Sequence, residues 1–209
     1  MKIRMTIATL SALALASPAL GQVFTIWAEA PEAVNPGETY TVEFWGSVEG
    51  DPWVDGESAI AGFGISAIAT EGSGLVVMNH GSVISDWAAG FGTDGTVVGP
   101  DLFDVSGGQI ASFFGDGYYP DTSNPILLFT FDVTVGNTAG AVTYTPNNPN
   151  PNGGLSFYPD GNDGASIIAP NDPGTTLLLE GATTRVIPAP ATLGLVFIGL
   201  WCPGRRRRI

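Results

Sequence analysis

The sequence predicts an all-β fold, an antiparallel β-sandwich of about nine short strands. Three observations predict it. Several segments alternate apolar and polar residues with a period of two, which is typical of a strand with one buried face. Glycine and proline are abundant, with 29 and 16 residues, so turns are favoured over long helices. The single cysteine, Cys202, excludes an intramolecular disulfide, so the fold depends on packing.

The alternating segments begin near residue 24 and recur along the chain. Between the first two, residues 35–38 (Asn-Pro-Gly-Glu) predict a turn, because proline fixes φ and glycine supplies a positive φ. The residues predicted to face inward are Phe24, Ile26 and Ala28 in the first segment, Tyr40, Val42 and Phe44 in the second, and Ala61, Phe63, Ile65 and Ala67 in the third.

The clearest strand spans residues 126–135. Val142 and Tyr144 follow it after a loop over residues 136–140, a length that predicts a hairpin. In the strand itself, the residues predicted to face inward are Leu127, Phe129, Phe131, Val133 and Val135, and those predicted to face outward are Thr130, Asp132 and Thr134.

The remaining segments give weaker signals. Val83, Ile84 and Trp87 stand at helical spacing, so residues 82–91 predict a helical turn. The Asn, Pro, Gly and Asp content of residues 147–174 predicts long surface loops. Further short strands are predicted near residues 74–79, 109–114, 165–168, 175–179 and 183–186.

Residues 1–21 have the three parts of a secretory signal peptide. Lys2 and Arg4 provide the basic start, and an apolar stretch over residues 5–16 follows. Ala19 and Gly21 then occupy the small-residue positions of a cleavage site before Gln22. The apolar stretch is shorter than the roughly 20 residues of a membrane span. The sequence therefore predicts a signal helix that signal peptidase removes during export.

The C-terminal tail, residues 187–209, is uncharged up to residue 204 and then ends in four arginines and Ile209. Such an order is a stop-transfer pattern, in which the basic cluster stays on the cytoplasmic side of the inner membrane. The strongly apolar part, residues 191–202, is too short at about 1.5 Å per residue to cross the roughly 30 Å hydrocarbon core. The pattern predicts a weak anchor that retains the chain in transit. The arginines are Arg205, Arg206, Arg207 and Arg208.

This tail resembles the PEP-CTERM sorting signal, which consists of Pro-Glu-Pro, an apolar segment and a basic end. Pro188, Ala189 and Pro190 stand at the Pro-x-Pro motif, with alanine where the family usually has glutamate. The resemblance implies recognition and cleavage by an exosortase-type membrane enzyme, here a variant that accepts Pro-Ala-Pro, and transfer to the cell surface or the extracellular polysaccharide. A plain tail anchor is the alternative.

The domain between the two ends, residues 22–186, is strongly acidic. It contains all twenty carboxylates of the chain and, of the lysines and arginines, only Arg185. A surface of this charge repels nucleic acid and anionic lipid and favours solubility and cations. No nucleic-acid partner is therefore predicted.

Three segments of this domain, in this order, resemble cohesin-like sandwich modules. They are Asn-Pro-Gly-Glu-Thr-Tyr-Thr-Val from residue 35, Ala-Gly-Phe-Gly-Ile from residue 61, and Leu-Leu-Phe-Thr-Phe-Asp-Val from residue 127. The resemblance implies an immunoglobulin-like jelly roll without a catalytic site, of a kind that binds protein partners or decorates surfaces.

Two tryptophans form the first candidate site. Trp27 and Trp45 fall on the polar sides of two strands, opposite to the inward residues. Two such indoles on neighbouring strands predict a platform for sugar rings, whose C–H faces stack on aromatic surfaces. The alternative is peripheral core covered by a loop.

Polar residues give two further candidates. Asp160, Asn162 and Asp163 place oxygen atoms at close spacing, as calcium requires, although Asn171 stands where an EF-hand loop has its last glutamate. The alternative is an Asp/Asn turn without an ion. His80, the only histidine, has no Gly-x-Ser-x-Gly motif beside it and is interpreted as a loop residue.

Three functions are compatible with these features. The first is an exported surface or matrix protein, not an enzyme and without a required cofactor, whose sandwich serves adhesion or matrix structure. The second is a carbohydrate-binding module that uses the tryptophans to hold extracellular polysaccharide. The third is a secreted hydrolase, which is disfavoured because no positioned base and nucleophile stand out among the carboxylates.

Overall fold

The computed structural model describes residues 21–70, 76–78, 82–111, 119–147 and 154–187. These residues form thirteen strands and one turn of 3₁₀ helix, Ala89–Phe91, so the all-β prediction is confirmed and the strand number exceeds the prediction. The strands are β1 (Gln22–Glu29), β2 (Ala33–Val34), β3 (Thr39–Glu49), β4 (Ala59–Thr70), β5 (Val76–Met78), β6 (Val83–Ile84), β7 (Thr96–Val98), β8 (Asp101–Gly108), β9 (Ile126–Val135), β10 (Gly140–Asn147), β11 (Leu155–Tyr158), β12 (Thr175–Glu180) and β13 (Ala182–Val186).

The strands form two sheets. Sheet A has the order β12-β1-β3-β9-β5, with β6 also paired to β9. Sheet B has the order β2-β13-β10-β4-β8-β7, with β11 also paired to β4. Neighbouring strands are antiparallel, except that β12 runs parallel to β1 and β2 runs parallel to β13.

The core lies between the two sheets and is built by the predicted alternation. Inward residues of β1 and β3, such as Phe24, Ile26, Val42 and Phe44, are fully buried. Aromatic side chains join the sheets through three ring pairs, whose centres are 5.7 Å apart for Phe24–Phe157, 5.8 Å for Phe63–Phe129 and 5.0 Å for Phe131–Tyr144. Aromatic pairs at this spacing add to the energy of apolar burial.

A β-bulge in β9 overturns one predicted orientation. Phe44 pairs with Phe129, but the next residue, Trp45, pairs with Leu127, so Leu128 is an extra residue in β9. Leu128 and Phe129 are both buried, whereas Leu127 is only half-buried, so the prediction that Leu127 faces inward is wrong. Gly46 provides the space for this bulge, because a Cβ at that position would lie 3.2 Å from a methyl carbon of Leu128.

The predicted hairpin after β9 is also wrong. Both edges of β9 are already occupied, by β3 on one side and by β5 and β6 on the other. The chain therefore crosses to sheet B, where β10 pairs with β4 and β13. Val142 and Tyr144 still face the same core, from the opposite sheet.

Four other predictions need correction. Of the strand predicted at residues 109–114, residues 109–111 form none, because β8 ends at Gly108 and Gln109 instead hydrogen-bonds to the backbone of Asp121; residues 112–114 lie outside the described residues. Residues 165–168 form only a bridge between Ile168 and Phe157, in β11, a strand that the loop prediction missed. In β4, Ala61 packs in a separate small cluster, because pairing with β11 shifts register beside it. The predicted helical turn is reduced to Ala89–Phe91, since Val83 and Ile84 form β6.

The other predicted elements on described residues stand. The turn at residues 35–38 is confirmed by a backbone hydrogen bond from Glu38 to Asn35 and by φ of 77° at Gly37. β5, β12 and β13 lie within or overlap the predicted short strands. Residues 1–20 of the predicted signal peptide, residues 188–209 of the predicted sorting tail and His80 lie outside the described residues. Within the described ranges, no helix has the length and hydropathy of a membrane span.

Candidate functional site

The outer face of sheet A carries two tryptophans side by side. Trp27 of β1 and Trp45 of β3 are directly opposite each other in the antiparallel register. Their ring centres are 6.4 Å apart and their ring planes differ by only 16°. Both side chains are half-buried, on the side of each strand opposite to the core residues. We call this pair the tryptophan platform.

Two glutamates hold the platform in place. The Trp27 indole Nε1–H donates to Glu29 Oε1 at 2.9 Å, and the Trp45 Nε1–H donates to Glu43 Oε2 at 3.0 Å. Both bonds join residues two positions apart on one strand, which share a face because side chains alternate. Glu29 and Glu43 are also directly opposite each other, so the Trp pair and the Glu pair are neighbouring cross-strand pairs on the outer face, two positions apart along the ladder.

Polar side chains extend this outer face from Glu43 toward the N-terminal end of β3. Thr41 Oγ1 donates to Asp132 Oδ1 at 2.7 Å, and Thr39 and Thr134 share a hydroxyl hydrogen bond of 2.7 Å. Glu180 of the edge strand β12 stands next to Trp27 in the parallel register. The platform is therefore an aromatic patch with carboxylates on several sides.

A groove of about 540 Å³ adjoins the platform at Trp45. The bulge turns Leu127 toward it, and Trp87 is held there by an Nε1–H bond of 2.7 Å to the Leu127 carbonyl oxygen. Ser85 Oγ, on the same wall, is buried and makes no hydrogen bond within the described residues. The residues that line the groove are Trp45, Val83, Ile84, Ser85, Asp86, Trp87, Asp121, Ser123, Pro125, Ile126, Leu127 and Thr130.

The loop that forms one wall of the groove is fixed by two amide side chains. Gln109 donates from Nε2 to the carbonyl oxygens of Ile60 at 2.8 Å and Asp121 at 2.9 Å, and its Oε1 accepts the Asp121 N–H at 2.7 Å. Asn124 donates to the Val48 carbonyl oxygen at 2.7 Å and accepts the Val48 N–H at 3.1 Å. These bonds tie the loop to both sheets, so Asp121 and Ser123 have defined positions at the groove.

A second surface lies on sheet B and was not predicted from the sequence. Glycines of β4 and β8 leave a shallow trough of about 290 Å³, because they have no side chains to fill it. Phe91 and Ile110 border this trough and are 66% and 41% exposed. The glycines that line it are Gly62, Gly64, Gly107, Gly108 and Gly154.

The predicted calcium residues form turns. Asp160 Oδ1 accepts the Asn162 backbone N–H at 2.8 Å, and Asp163 Oδ1 accepts the Ala165 N–H at 2.9 Å. These are Asx turns, in which a side chain replaces a backbone acceptor. No group of three or more His, Cys, Asp or Glu in the described part of the chain has the arrangement of a metal site. Calcium binding at this loop stays a prediction.

Comparison with known proteins gives matches among solved structures alone. No protein-family model and no curated protein matches the chain. The third ScaC cohesin of Acetivibrio cellulolyticus, solved with the ScaB dockerin, is 12% identical, with a TM-score of 0.45 over 79% of this chain and 99% of that chain. The seventh ScaB type I cohesin of Pseudobacteroides cellulosolvens is 8% identical, with a TM-score of 0.49 over 80% of this chain and 95% of that chain.

A third similar structure is the cohesin module of a family 33 glycoside hydrolase from Clostridium perfringens. It is 8% identical, with a TM-score of 0.42 over 81% of this chain and 99% of that chain. Because identities and TM-scores are this low, no binding property of these modules is carried over, and the candidate site rests on this chain's own residues.

Proposed function

We propose that this chain is an exported, non-catalytic adhesion module that holds extracellular polysaccharide on the tryptophan platform. The observation that supports this is the opposed pair Trp27 and Trp45, with ring centres 6.4 Å apart on the outer face of sheet A. Sugar rings present C–H faces that stack on aromatic rings, and near-parallel indoles offer two such contacts to neighbouring sugars. The adjoining groove gives room for the chain to continue past Trp45.

Binding to a glycan array tests this function. We expect the native protein to bind at least one polysaccharide, and Trp27→Ala and Trp45→Ala to weaken that binding about tenfold each, the loss expected for one stacking contact. Tyr119→Ala is the matched control, since Tyr119 is an aromatic residue that is 78% exposed outside the platform. Absence of glycan binding, or equal loss in all three variants, would contradict the proposal.

The proposed location follows from the two ends of the chain. Signal peptidase cuts before Gln22, the arginine-closed tail holds the chain in the inner membrane, and an exosortase-type enzyme cuts near Pro188 and Pro190. The module then reaches the cell surface or the matrix. Mass spectrometry of the native protein from cells and from medium reports both cleavage points together. A cytosolic protein with both ends intact would refute this route.

A second candidate function is protein docking at the glycine-lined trough of sheet B. The exposed side chains of Phe91 and Ile110 favour it, because apolar residues beside a flat, open surface are typical of binding sites. Sedimentation of the native protein over a range of concentrations tests whether the partner is a second copy. In that case we expect Phe91→Ser to abolish the association while leaving glycan binding unchanged.

A further inference from the structure

Carboxylates surround the platform, and no basic residue stands on the described strands of its sheet. Glu29 and Glu43 form the next cross-strand pair on the face of the two indoles, and Glu180 is the register neighbour of Trp27. Asp86 and Asp121 line the groove on the other side of Trp45. The strands of sheet A contain no lysine, arginine or histidine. The only Lys or Arg of residues 22–186, Arg185, lies on β13 in sheet B.

The opposed glutamates are unfavourable without a cation. Like charges directly across an antiparallel pair destabilise it. Each carboxylate uses one oxygen to accept an indole N–H, and these neutral donors offset the repulsion only in part. A positive group supplied from outside the chain would pair with both carboxylates.

The indole rings also favour a positively charged ligand. Their N–H donors are used by Glu29 and Glu43, so the ring faces are what they offer to a ligand. The face of an indole ring attracts cations, tryptophan most strongly among the aromatic residues. An acidic polysaccharide would be repelled by the carboxylates, and a neutral one would use the stacking contacts alone.

We infer that the polysaccharide held by the platform consists of amino sugars with free, protonated amines. This inference rests on the glycan-binding function proposed above. Sugar rings stack on Trp27 and Trp45 while their ammonium groups face Glu29 and Glu43. Beyond Trp45, further amino sugars enter the groove toward Asp86 and Asp121, both of which line it. Stacking and charge pairing therefore act on the same repeating unit.

Calorimetric titration of the native protein with two oligosaccharides of equal length tests the inference. One is a β-1,4-linked glucosamine oligomer with free amines, and the other is the same oligomer fully N-acetylated. We expect the amine form to bind at least tenfold more tightly, with affinity that falls as salt is raised, because exposed charges are screened.

Two variants test whether the preference for free amines arises at the platform, and a third is the control. Glu29→Gln and Glu43→Gln keep an acceptor for the indole N–H but remove the charge, so each should weaken the amine form about threefold and leave the acetylated form unchanged. Asp55→Asn is the matched control, because Asp55 Oδ1 also accepts an indole N–H, from Trp53 at 2.8 Å, in the β3–β4 loop. This variant should bind both oligomers as the native protein does.

Each other outcome has a defined meaning. Equal binding of both oligomers, or tighter binding of the acetylated one, overturns the amino-sugar inference but supports the proposed glycan-binding function. Tighter binding of the amine form that Trp45→Ala, Glu29→Gln and Glu43→Gln leave intact overturns the inference, since it reflects only the overall negative charge of the protein. No binding of these oligomers or of any glycan on the array overturns both.

Discussion

Replacing Gln109 with leucine should destabilise the protein strongly. The side chain is 4% exposed and makes three hydrogen bonds, to the carbonyl oxygens of Ile60 and Asp121 and from the Asp121 N–H. Leucine has a similar size but satisfies none of these backbone groups. At about 1 kcal/mol for each group left without a partner, we expect Gln109→Leu to lower the free energy of unfolding by about 3 kcal/mol.

The other glutamine of the sandwich provides a matched control. Gln22 is 7% exposed, and its buried Nε2 makes no hydrogen bond within the described residues. Gln22→Leu therefore removes a buried polar group that has already lost its water, and should leave the stability unchanged or raised by up to about 1 kcal/mol. Urea unfolding followed by tryptophan fluorescence measures both variants. Equal destabilisation by the two substitutions would refute the reasoning from hydrogen bonds.

Three further predictions concern the core, the tyrosines and the platform. Leu128→Ala should cost about 3 kcal/mol and Leu127→Ala about 1 kcal/mol, because the bulge buries only Leu128 fully; urea unfolding with the opposite order would place the bulge elsewhere. Burial raises the pKa of Tyr144, with Tyr40 and Asp101 adding to the shift, so the unfolded chain loses this proton first. The free energy of unfolding should thus fall as pH rises above the ordinary pKa of 10.0, and less steeply in Tyr144→Phe; equal slopes would contradict this. Trp27→Ala should lower the free energy of unfolding by about 1 kcal/mol, the contribution of the lost cross-strand pair, and so lower the melting temperature only slightly. A loss of unfolding free energy several times larger would assign Trp27 to the core.

The alternation of apolar residues predicted the core well, for a physical reason. From Phe24 in β1 and throughout β3 the inward residues are apolar or glycine and the outward ones are polar or tryptophan, so only one orientation buries the apolar set. The outward positions of Trp27 and Trp45 followed from that alternation. Their direct opposition did not, because the register between two strands depends on hydrogen bonds that the sequence of neither strand specifies.

β8 and β11 show no regular alternation of apolar and polar residues, so the sequence did not predict them. β8 contains Asp104 with φ of 58°, a backbone conformation supported by a hydrogen bond from its N–H to Ser66 Oγ at 3.1 Å. The strand ends in two glycines and is paired on both edges, by β4 and β7. β11 has only four residues between polar loops. These strands are held by partners distant in sequence, and local composition predicts loops at such places.

The β-bulge in β9, which the period-two alternation did not predict, also forms the groove. In the run Ile126 to Phe129 every residue is apolar, so nothing in the sequence indicates where the bulge falls. The structure places it at Leu128, which turns Leu127 outward as the register partner of Trp45 and presents its carbonyl oxygen to the Trp87 indole. A regular strand would instead send Leu127 into the core. The groove beside the platform is therefore a consequence of one extra residue in β9, accommodated by the absence of a side chain at Gly46.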